Sequence, residues 1–242
     1  MAKLSASEIK LVKSLSQKKF RDSLGLFAVE GDKMLGEAIQ SGWDVVNVYR
    51  RDDIGEEQMA RISSLDSPSP VLAVLRKHRR ADAPIKSDGL YLALDGVRDP
   101  GNLGTVMRIC DWFGIDGIYA SQDTVDQYNP KVVQSSMGAI FRKDVIYGDL
   151  VQVIGQFRCE GMPVYGTFMD GDNIYESNIV PKGLIVMGNE ARGVSGEIDR
   201  LCTSRLLIPS YAAGSVHAES LNVAVATAVT VAEFKRVSIY VK

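Results

Sequence analysis

The chain has 242 residues, of which 45% are apolar and 24% are charged, and its formal net charge is −2. This composition excludes global disorder and allows one large domain, or a large and a small one, with packed cores. Charge or glycine breaks each apolar run, so no membrane span is expected. The opening, MAKLSASEIKLVKSLSQKKF, has no continuous apolar core, so no secretory signal is expected either.

Cysteine and histidine are too sparse to predict metal or disulfide chemistry. The cysteines, Cys110, Cys159 and Cys202, are odd in number and widely spaced, and there are only two histidines. This pattern is typical of neither a disulfide framework nor a metal cluster. We therefore expect no resident metal, and reduced thiols in a cytoplasmic protein.

Charge is distributed unevenly along the chain. Residues 1–80 carry 14 Lys or Arg against 11 Asp or Glu, whereas residues 81–242 carry 14 against 19. The mildly basic first part predicts a docking region for a polyanion. Two basic groups lie there, the first beside Phe20: Lys13, Lys18, Lys19 and Arg21, and then Arg76, Lys77, Arg79 and Arg80. Two solvated charge runs are the alternative interpretation.

The first part of the chain predicts a small α/β domain. Apolar residues at helical spacing predict helices over 5–20 and 32–42, the second closed by Gly42. Runs rich in β-branched residues predict strands over 27–31, 45–49 and 71–75.

A charged stretch over 76–89 contains Pro84 and shows no periodicity, which favours an inter-domain linker in its second half. The predicted division is a domain over 1–78, a linker over 79–88 and a domain over 89–242.

From residue 90 onward, strands and helices alternate. The predicted strands cover 90–96, 117–121, 145–147, 162–168, 183–188 and 204–209. The predicted helices cover 104–114, 129–141, 150–161 and 219–236. Strands that are apolar throughout and joined by helices indicate a parallel sheet covered on both faces. Ligands of such sheets bind beyond the carboxyl ends of the strands, where polar loops follow at 95–104, 188–196 and 209–220.

These loops combine small residues with a few polar side chains, and they lack the patterns GxGxxG, GxxxxGK[ST], HExxH and CxxC. The candidate residues are Asn102, Arg108, Glu190, Ser220 and Asn222. Structural alternatives remain open for four of them. Asn102 could support a left-handed turn, and Arg108 could pair with Asp111 or another surface acid. Glu190 could cap the short helix that follows it, while Ser220 or Glu219 could cap the last helix.

The segments that carry these residues resemble a known family. LDGVRDPGNLGTVMRICDWFGI, LIVMGNEARGVS and IPSYAAGSVHAESLNVAVATAV resemble, in order, the three motifs of the SpoU/TrmH family of SPOUT-class RNA 2′-O-methyltransferases. QYNPKVVQSSMGAIFR resembles the stretch between the first two motifs. KLVKSLSQKKFRDSLGLFAVEGDKMLGEAI is similar to the small L30e/L7Ae-like substrate-binding domain that often precedes the catalytic domain.

The resemblance implies an α/β fold: a SPOUT-type parallel sheet with a C-terminal trefoil knot, after a small N-terminal L30e-like domain. It implies S-adenosylmethionine held by backbone groups at Gly188, Ile208 and Leu221. It also implies a homodimer formed through the C-terminal domain, in which Arg108 approaches the partner's cofactor region. The expected substrate is RNA, ribosomal rather than transfer RNA, because the two-domain arrangement resembles members that act on ribosomal RNA.

The five candidate residues match the family's functional positions, and the family's account makes Arg108 the base. Because arginine stays protonated in proteins, we expect Arg108 first to hold the phosphate beside the target ribose. Arg108 could lose a proton only in that arrangement, or the proton of the hydroxyl could leave through water. Asn102, Glu190 and Ser220 would position the ribose and Arg108.

One segment departs from the family pattern. Residues 208–220 are longer than its compact spacing, Ser210 replaces the usual Met, and His217 lies inside, so no cofactor contact is transferred to 210–218. This departure keeps open a catalytically inactive SPOUT-like RNA-binding protein as the alternative function. A small-molecule α/β enzyme unrelated to RNA is a third interpretation.

Overall fold

The computed structural model describes residues 3–78, 84–212 and 219–240. The chain divides into two compact units, Met1–Ala81 with Asp126–Arg142, and Asp82–Val125 with Lys143–Lys242. We call these the first and the second unit. The predicted basic residues Arg79 and Arg80, part of the predicted linker, and His217 lie outside the described residues.

The first unit is built around a small antiparallel sheet. Its elements are α1 (Ala6–Ser14), α2 (Lys18–Leu24), β1 (Leu26–Glu30), α3 (Asp32–Gln40), β2 (Val45–Arg50), α4 (Arg51–Ile54), α5 (Glu56–Ile62) and β3 (Val71–Arg76), followed later in the chain by α7 (Pro130–Ser136). The strand order is β1-β3-β2, so β3 is central and its first five residues are buried. Helix α7 packs against β1. Segment 126–142 was predicted from sequence to lie in the second domain, and it groups here with the first unit.

The predicted single helix over 5–20 is two helices, α1 and α2, because a buried arginine interrupts it. The Arg21 side chain is only 2% exposed, and its Nη1 donates to the carbonyl oxygens of Leu15 and Ser16, each at 2.9 Å. These carbonyls lie at the break and are free to accept. The guanidinium also binds one Asp126 carboxylate oxygen through Nη2 at 2.7 Å and Nε at 3.1 Å. The prediction of Arg21 as part of an exposed basic group is therefore wrong.

The second unit holds the parallel sheet that the sequence predicts. Its elements are β4 (Leu90–Leu94), α6 (Pro100–Trp112), β5 (Gly117–Ala120), β6 (Val145–Tyr147), α8 (Leu150–Cys159), β7 (Val164–Asn173), β8 (Gly183–Met187), α9 (Gly196–Asp199), β9 (Ser204–Leu207) and α10 (Val223–Tyr240). In the described residues the strand order is β6-β5-β4-β8-β7-β9, and every pair is parallel. All five residues of β4 and of β8 are buried, so these two strands form the centre of the core.

Both helices that carry candidate residues begin where a polar side chain caps them. Helix α6 starts at Pro100, earlier than the predicted residue 104, because the Asp99 carboxylate accepts from the Asn102 N–H at 2.9 Å. Asn102 thus lies in a helical first turn, and the left-handed-turn alternative is wrong. Helix α10 starts after Asn222, whose Oδ1 accepts from the N–H groups of Ala224 and Val225. The cap is therefore Asn222, not Ser220 or Glu219.

Among the described residues, no helix combines the length and the apolar character that a membrane crossing requires.

Candidate active site

The loop after β8 is a tight turn that glycine makes possible. The backbone of Asn189 and Gly193 exchanges two hydrogen bonds of 2.9 Å, which closes the turn. A Cβ atom at Gly188 would lie 2.2 Å from the carbonyl carbon of Gly193 and from the amide nitrogen of Val194. No residue with a side chain fits at Gly188 without displacing this backbone. The turn therefore fixes the backbone from which the Glu190 side chain projects.

Glu190 reaches from this turn to the start of α6. Its carboxylate accepts from the Arg98 N–H at 3.3 Å, the Asp99 N–H at 3.2 Å and the Asn102 side-chain Nδ2 at 3.0 Å. Burial raises the pKa of Glu190, but the hydrogen bonds from Asn102 and from backbone N–H groups outweigh this and leave the pKa below its ordinary value. Glu190 is therefore ionised at neutral pH. The alternative that it caps α9 is wrong, because the N-cap residue of α9 is Ser195 and no side-chain hydrogen bond caps this helix.

Asn102 links Glu190 to the third loop. While its Nδ2 donates to Glu190, its Oδ1 accepts from Asn222 Nδ2 at 2.8 Å. Asn222 in turn caps α10 through its own Oδ1. The chain of hydrogen bonds Glu190–Asn102–Asn222, which we call the amide relay, joins the loops after β4, β8 and β9 at one edge of the sheet. Each amide uses its donor and its acceptor, so the relay has one consistent orientation.

The structure does not join Arg108 and Ser220 to the amide relay. Arg108 is exposed on α6, and within the described residues its guanidinium makes no hydrogen bond or ion pair. Ser220 is exposed two residues before Asn222. An exposed arginine without a partner has all its donors available for an incoming anion.

Two residues that support the loops were missed in the sequence. Asn189 Nδ2 donates to the Gly96 carbonyl at 2.6 Å, which ties the loop after β8 to the loop after β4. Asp95 accepts from the Ser195 N–H at 2.7 Å and makes a second such link. Both residues come directly or almost directly after buried strands, so the rule that polar residues at strand ends mark a site could have found them.

The positions predicted to hold the cofactor suit an adenosine-like group. Gly188 and Ile208 follow β8 and β9, and Leu221 precedes the Asn222 that joins the relay. In the described part of the chain, no hydrogen bond uses the backbone groups of Gly188, Ile208 or Leu221. The Leu221 side chain is 50% exposed. Free backbone donors and acceptors beside an exposed apolar side chain fit a flat, polar-edged ring, so the residues present fit S-adenosylmethionine.

The described residues contain no group of three or more His, Cys, Asp or Glu side chains that could hold a metal ion.

Comparison with known proteins identifies the family. Residues 89–232 match the SpoU rRNA methylase family, and residues 6–65 match the MRM3-like substrate binding domain. The first match covers more than half of the chain, and the chain therefore belongs to the SpoU rRNA methylase family.

The similar proteins extend over nearly the whole chain. The 23S rRNA (guanosine(2553)-2′-O)-methyltransferase RlmP of Bacillus subtilis is 28% identical over 93% of this chain and 94% of its own length. A TrmH-family protein from Porphyromonas gingivalis is 36% identical with a TM-score of 0.86, covering 97% of this chain and 99% of its own. An AdoMet-bound rRNA methyltransferase from Sinorhizobium meliloti is 28% identical with a TM-score of 0.86, covering 98% and 97%.

These matches confirm the predicted resemblance, the parallel-sheet α/β fold and the class of enzyme. The chain is an RNA methyltransferase that uses S-adenosylmethionine. Nothing among the similar proteins supports the inactive RNA-binding alternative, and family membership argues against the small-molecule enzyme.

Proposed function

We propose that this enzyme methylates the 2′-hydroxyl of a ribose in ribosomal RNA, with Arg108 and the amide relay as its catalytic centre. The observation that carries the proposal is the relay itself, because Glu190, Asn102 and Asn222 connect all three motif loops by hydrogen bonds. The Bacillus subtilis relative, similar over 93% of this chain, is named for a 2′-O-methylation of 23S rRNA.

The cofactor, when bound, supplies a methyl group already activated on a sulfonium. The protein must therefore hold the cofactor, align the attacking oxygen and handle one proton. In this proposal the backbone groups of Gly188, Ile208 and Leu221 hold the cofactor. The amide relay keeps the three loops in register, so that the two substrates meet in one geometry.

Arg108 binds the phosphate next to the target ribose. Its guanidinium is exposed and without a partner among the described residues, and the planar fork suits a phosphate. Because the group stays protonated, it orients the ribose and lowers the cost of charge on the attacking oxygen, while the hydroxyl proton leaves to water. Ser220, exposed beside the relay, donates to or accepts from the ribose.

Replacing Arg108 tests this assignment. Arg108→Ala is expected to lower turnover by at least roughly 1,000-fold, a size typical of a lost electrostatic contact in the transition state. Cofactor affinity, measured by calorimetry, should stay within about twofold. The control is Arg158→Ala, which removes an exposed arginine from the end of α8. Near-normal turnover of Arg108→Ala would contradict the assignment.

The product identifies the reaction. Ribosomal RNA is incubated with the enzyme and methyl-labelled cofactor and is then digested with alkali. A methylated 2′-oxygen cannot attack the neighbouring phosphate, so the label should remain in an alkali-resistant dinucleotide. Label in a mononucleotide base would contradict ribose methylation.

The homodimer is also a proposal, supported by a partly exposed apolar stripe on α10 and by its neighbour α6. Val225, Ala228, Val229 and Ala232 recur at helical spacing, and Val225 is 50% exposed. Helix α6 packs against α10 and presents Trp112, which is 85% exposed, one turn after Arg108. A tryptophan this exposed, beside an apolar stripe, is typical of an interface.

Mixing two inactive variants tests whether Arg108 serves the partner's cofactor. Arg108→Ala removes the proposed phosphate-binding side chain, and Gly188→Val disrupts the turn after β8. If the site is shared between protomers, mixed dimers should regain about a quarter of wild-type activity, because half the dimers are mixed and each has one intact site. No recovery, with mixed dimers present by mass spectrometry, would place the whole site in one protomer.

The trefoil knot and the cytoplasmic location stay proposals. The return of the chain from β9 to Asn222, beside the loop after β8, supports the knot. An experimental structure that traces residues 208–223 tests it. Three free cysteines support a reducing compartment, which localisation of a tagged chain would test.

A further inference from the structure

A cavity of about 300 Å³ lies inside the first unit, between α1, β1, β3, α7 and the turn after α5. We call it the base cavity. Its walls are buried apolar side chains: Val12, Leu15, Val29, Ile62, Leu72 and Val133. A volume at the lower end of the range for ligand sites, with apolar walls, suits one flat ring system rather than an extended ligand.

One wall residue is a buried carboxylate, which is unusual for an apolar cavity. Glu30 is 6% exposed, and its oxygens accept from the Ser63 hydroxyl at 2.6 Å, the Ser64 hydroxyl at 2.7 Å and the Ser64 N–H at 2.8 Å. Within the described residues, no Lys or Arg binds this carboxylate. Burying a carboxylate that only neutral groups hold costs free energy, so a further hydrogen-bond donor from a ligand would be favourable here.

The acceptor capacity of Glu30 is not used up. A carboxylate offers about four lone-pair positions, and three donors reach this one. The Ser64 hydroxyl belongs to an exposed residue and can rotate to another partner, which would release a second position. The cavity can therefore bind a ligand edge with two neighbouring N–H donors.

The rim of the cavity has the opposite charge. Lys13 and Ser16 also line the cavity, and we call them its rim because both residues are exposed. An anionic interior repels a phosphate, and a cationic rim attracts one. This arrangement suits a nucleotide whose base enters and whose phosphate stays outside.

We propose that the base cavity binds an unpaired guanine of the RNA substrate, with Glu30 accepting from its N1–H and its 2-amino group. Among the four bases only guanine presents two adjacent donors on its pairing edge, and single-stranded bases are the usual target of sequence-specific RNA recognition. The inference rests on the proposed function, since it takes RNA as the ligand, and it assigns a site outside the catalytic centre.

Short oligonucleotides test the proposal directly. Fluorescent oligouridines with one central guanosine, inosine or adenosine are titrated with the full-length protein, and affinity is measured by anisotropy. Hydrogen bonds to a charged group predict about tenfold tighter binding of the guanosine oligomer than of the adenosine one, with inosine between them because it lacks the 2-amino group.

Two variants and a matched control connect the preference to the cavity. Glu30→Gln removes the carboxylate, and Ser16→Phe blocks the rim without changing a wall residue. Ser23→Phe is the control, because Ser23 is equally exposed and, like Ser16, donates to the carbonyl three residues earlier. Both cavity variants should lose the guanosine preference, and Ser23→Phe should keep it. If Glu30→Gln does not fold, Ser16→Phe decides.

The outcome is separable from that of the proposed function. Equal affinity of the wild type for all three oligomers, or an unchanged preference in both cavity variants, overturns the base cavity even when ribosomal RNA is methylated. If the wild-type protein methylates no RNA, the proposed function is overturned, but its preference among the three oligomers can still be measured. If an apolar small molecule that fills the cavity blocked binding of all three oligomers equally, the cavity would not distinguish guanine from the other bases, and the proposal would be contradicted.

Discussion

The two units use their basic residues in different ways. In the first unit, several of the residues that the sequence groups into basic runs are held by carboxylates: Lys18 and Lys77 both bind Asp22, and Arg21 binds Asp126. In the second unit, Arg108 has no such partner among the described residues. The more acidic part of the chain thus also carries a cation that is free to bind an anion. The distribution of charge along a sequence therefore shows where basic residues lie, but it does not show which of them are free to bind an anion.

The ion pair between Arg21 and Asp126 gives the largest expected effect. Arg21→Ala should lower the free energy of unfolding by about 3–5 kcal/mol, because it leaves a largely buried carboxylate without its counter-charge. Urea unfolding followed by circular dichroism measures the change. Lys18→Ala is the control: its pair with Asp22 is largely exposed, and its removal should cost about 0.2–1 kcal/mol.

Replacing both members sharpens this prediction. The double variant Arg21→Met with Asp126→Leu should be more stable than Arg21→Ala, because no unpaired charge remains in the interior. A double variant as unstable as the single one would show that the guanidinium contacts to Leu15 and Ser16 dominate instead.

Changes to the amide relay in the second unit should lower the activity of the enzyme more than its stability. Asn102→Ala separates Glu190 from Asn222, and turnover should fall about 100-fold because a small misplacement of catalytic loops has that cost. Asn102→Asp should be worse, since it places a second carboxylate against Glu190. Thr105→Ala, on the same helix, is the control, because in the part of the chain that the structure describes its hydroxyl binds only the Gly101 carbonyl.

The measurement is kcat together with the KM of each substrate. Equal losses for Asn102→Ala and Thr105→Ala would mean that α6, and not the relay, is what the reaction requires.

Much of the second unit could be predicted from its apolar strands and from the polar residues that follow them. Five-residue apolar runs such as β4 and β8 indicated the parallel sheet, and Asn102, Glu190 and Asn222 were found because each follows such a strand or begins the next helix. The relay itself could not be predicted. It depends on distances between residues about 90 and 120 positions apart, which no local pattern contains.

The first unit was less predictable because a long-range pair overrides local preference. Residues 5–20 have helical spacing throughout, yet the helix is interrupted at 15–17. There two backbone carbonyls accept hydrogen bonds from Arg21, which also binds the carboxylate of Asp126. Sequence spacing contains no sign of this partner. The packing of α7 against β1 has the same origin, since only the fold places segment 126–142 in the first unit.

Replacing Glu190 should have a smaller effect on stability, and this effect should depend on pH in a defined way. Its folded pKa lies below the ordinary value of 4.5, so its contribution to stability is complete above that value and is lost as the pH falls through the folded pKa. The stability advantage of the wild type over Glu190→Gln should be below about 1 kcal/mol at pH 7, since the site is partly solvated. It should disappear in acid.

Thermal unfolding of both proteins at several pH values measures this difference. An advantage of the wild type that grows as the pH falls below 4.5 would mean that the carboxylate is not stabilised by the relay.

The smallest expected effect concerns RNA affinity and the basic residues of the first unit. Lys13 is exposed and has no ion pair among the described residues, whereas Lys18 binds Asp22. If Lys13 contacts a phosphate of single-stranded RNA, Lys13→Gln should reduce the slope of log affinity against log salt by about 0.7. Lys18→Gln should change the slope less, because the Lys18 ammonium group is already paired with Asp22. Equal changes in the two variants would show that exposed ion pairs do not restrain lysines from binding RNA, and the contrast between the units would then be limited to the buried Arg21.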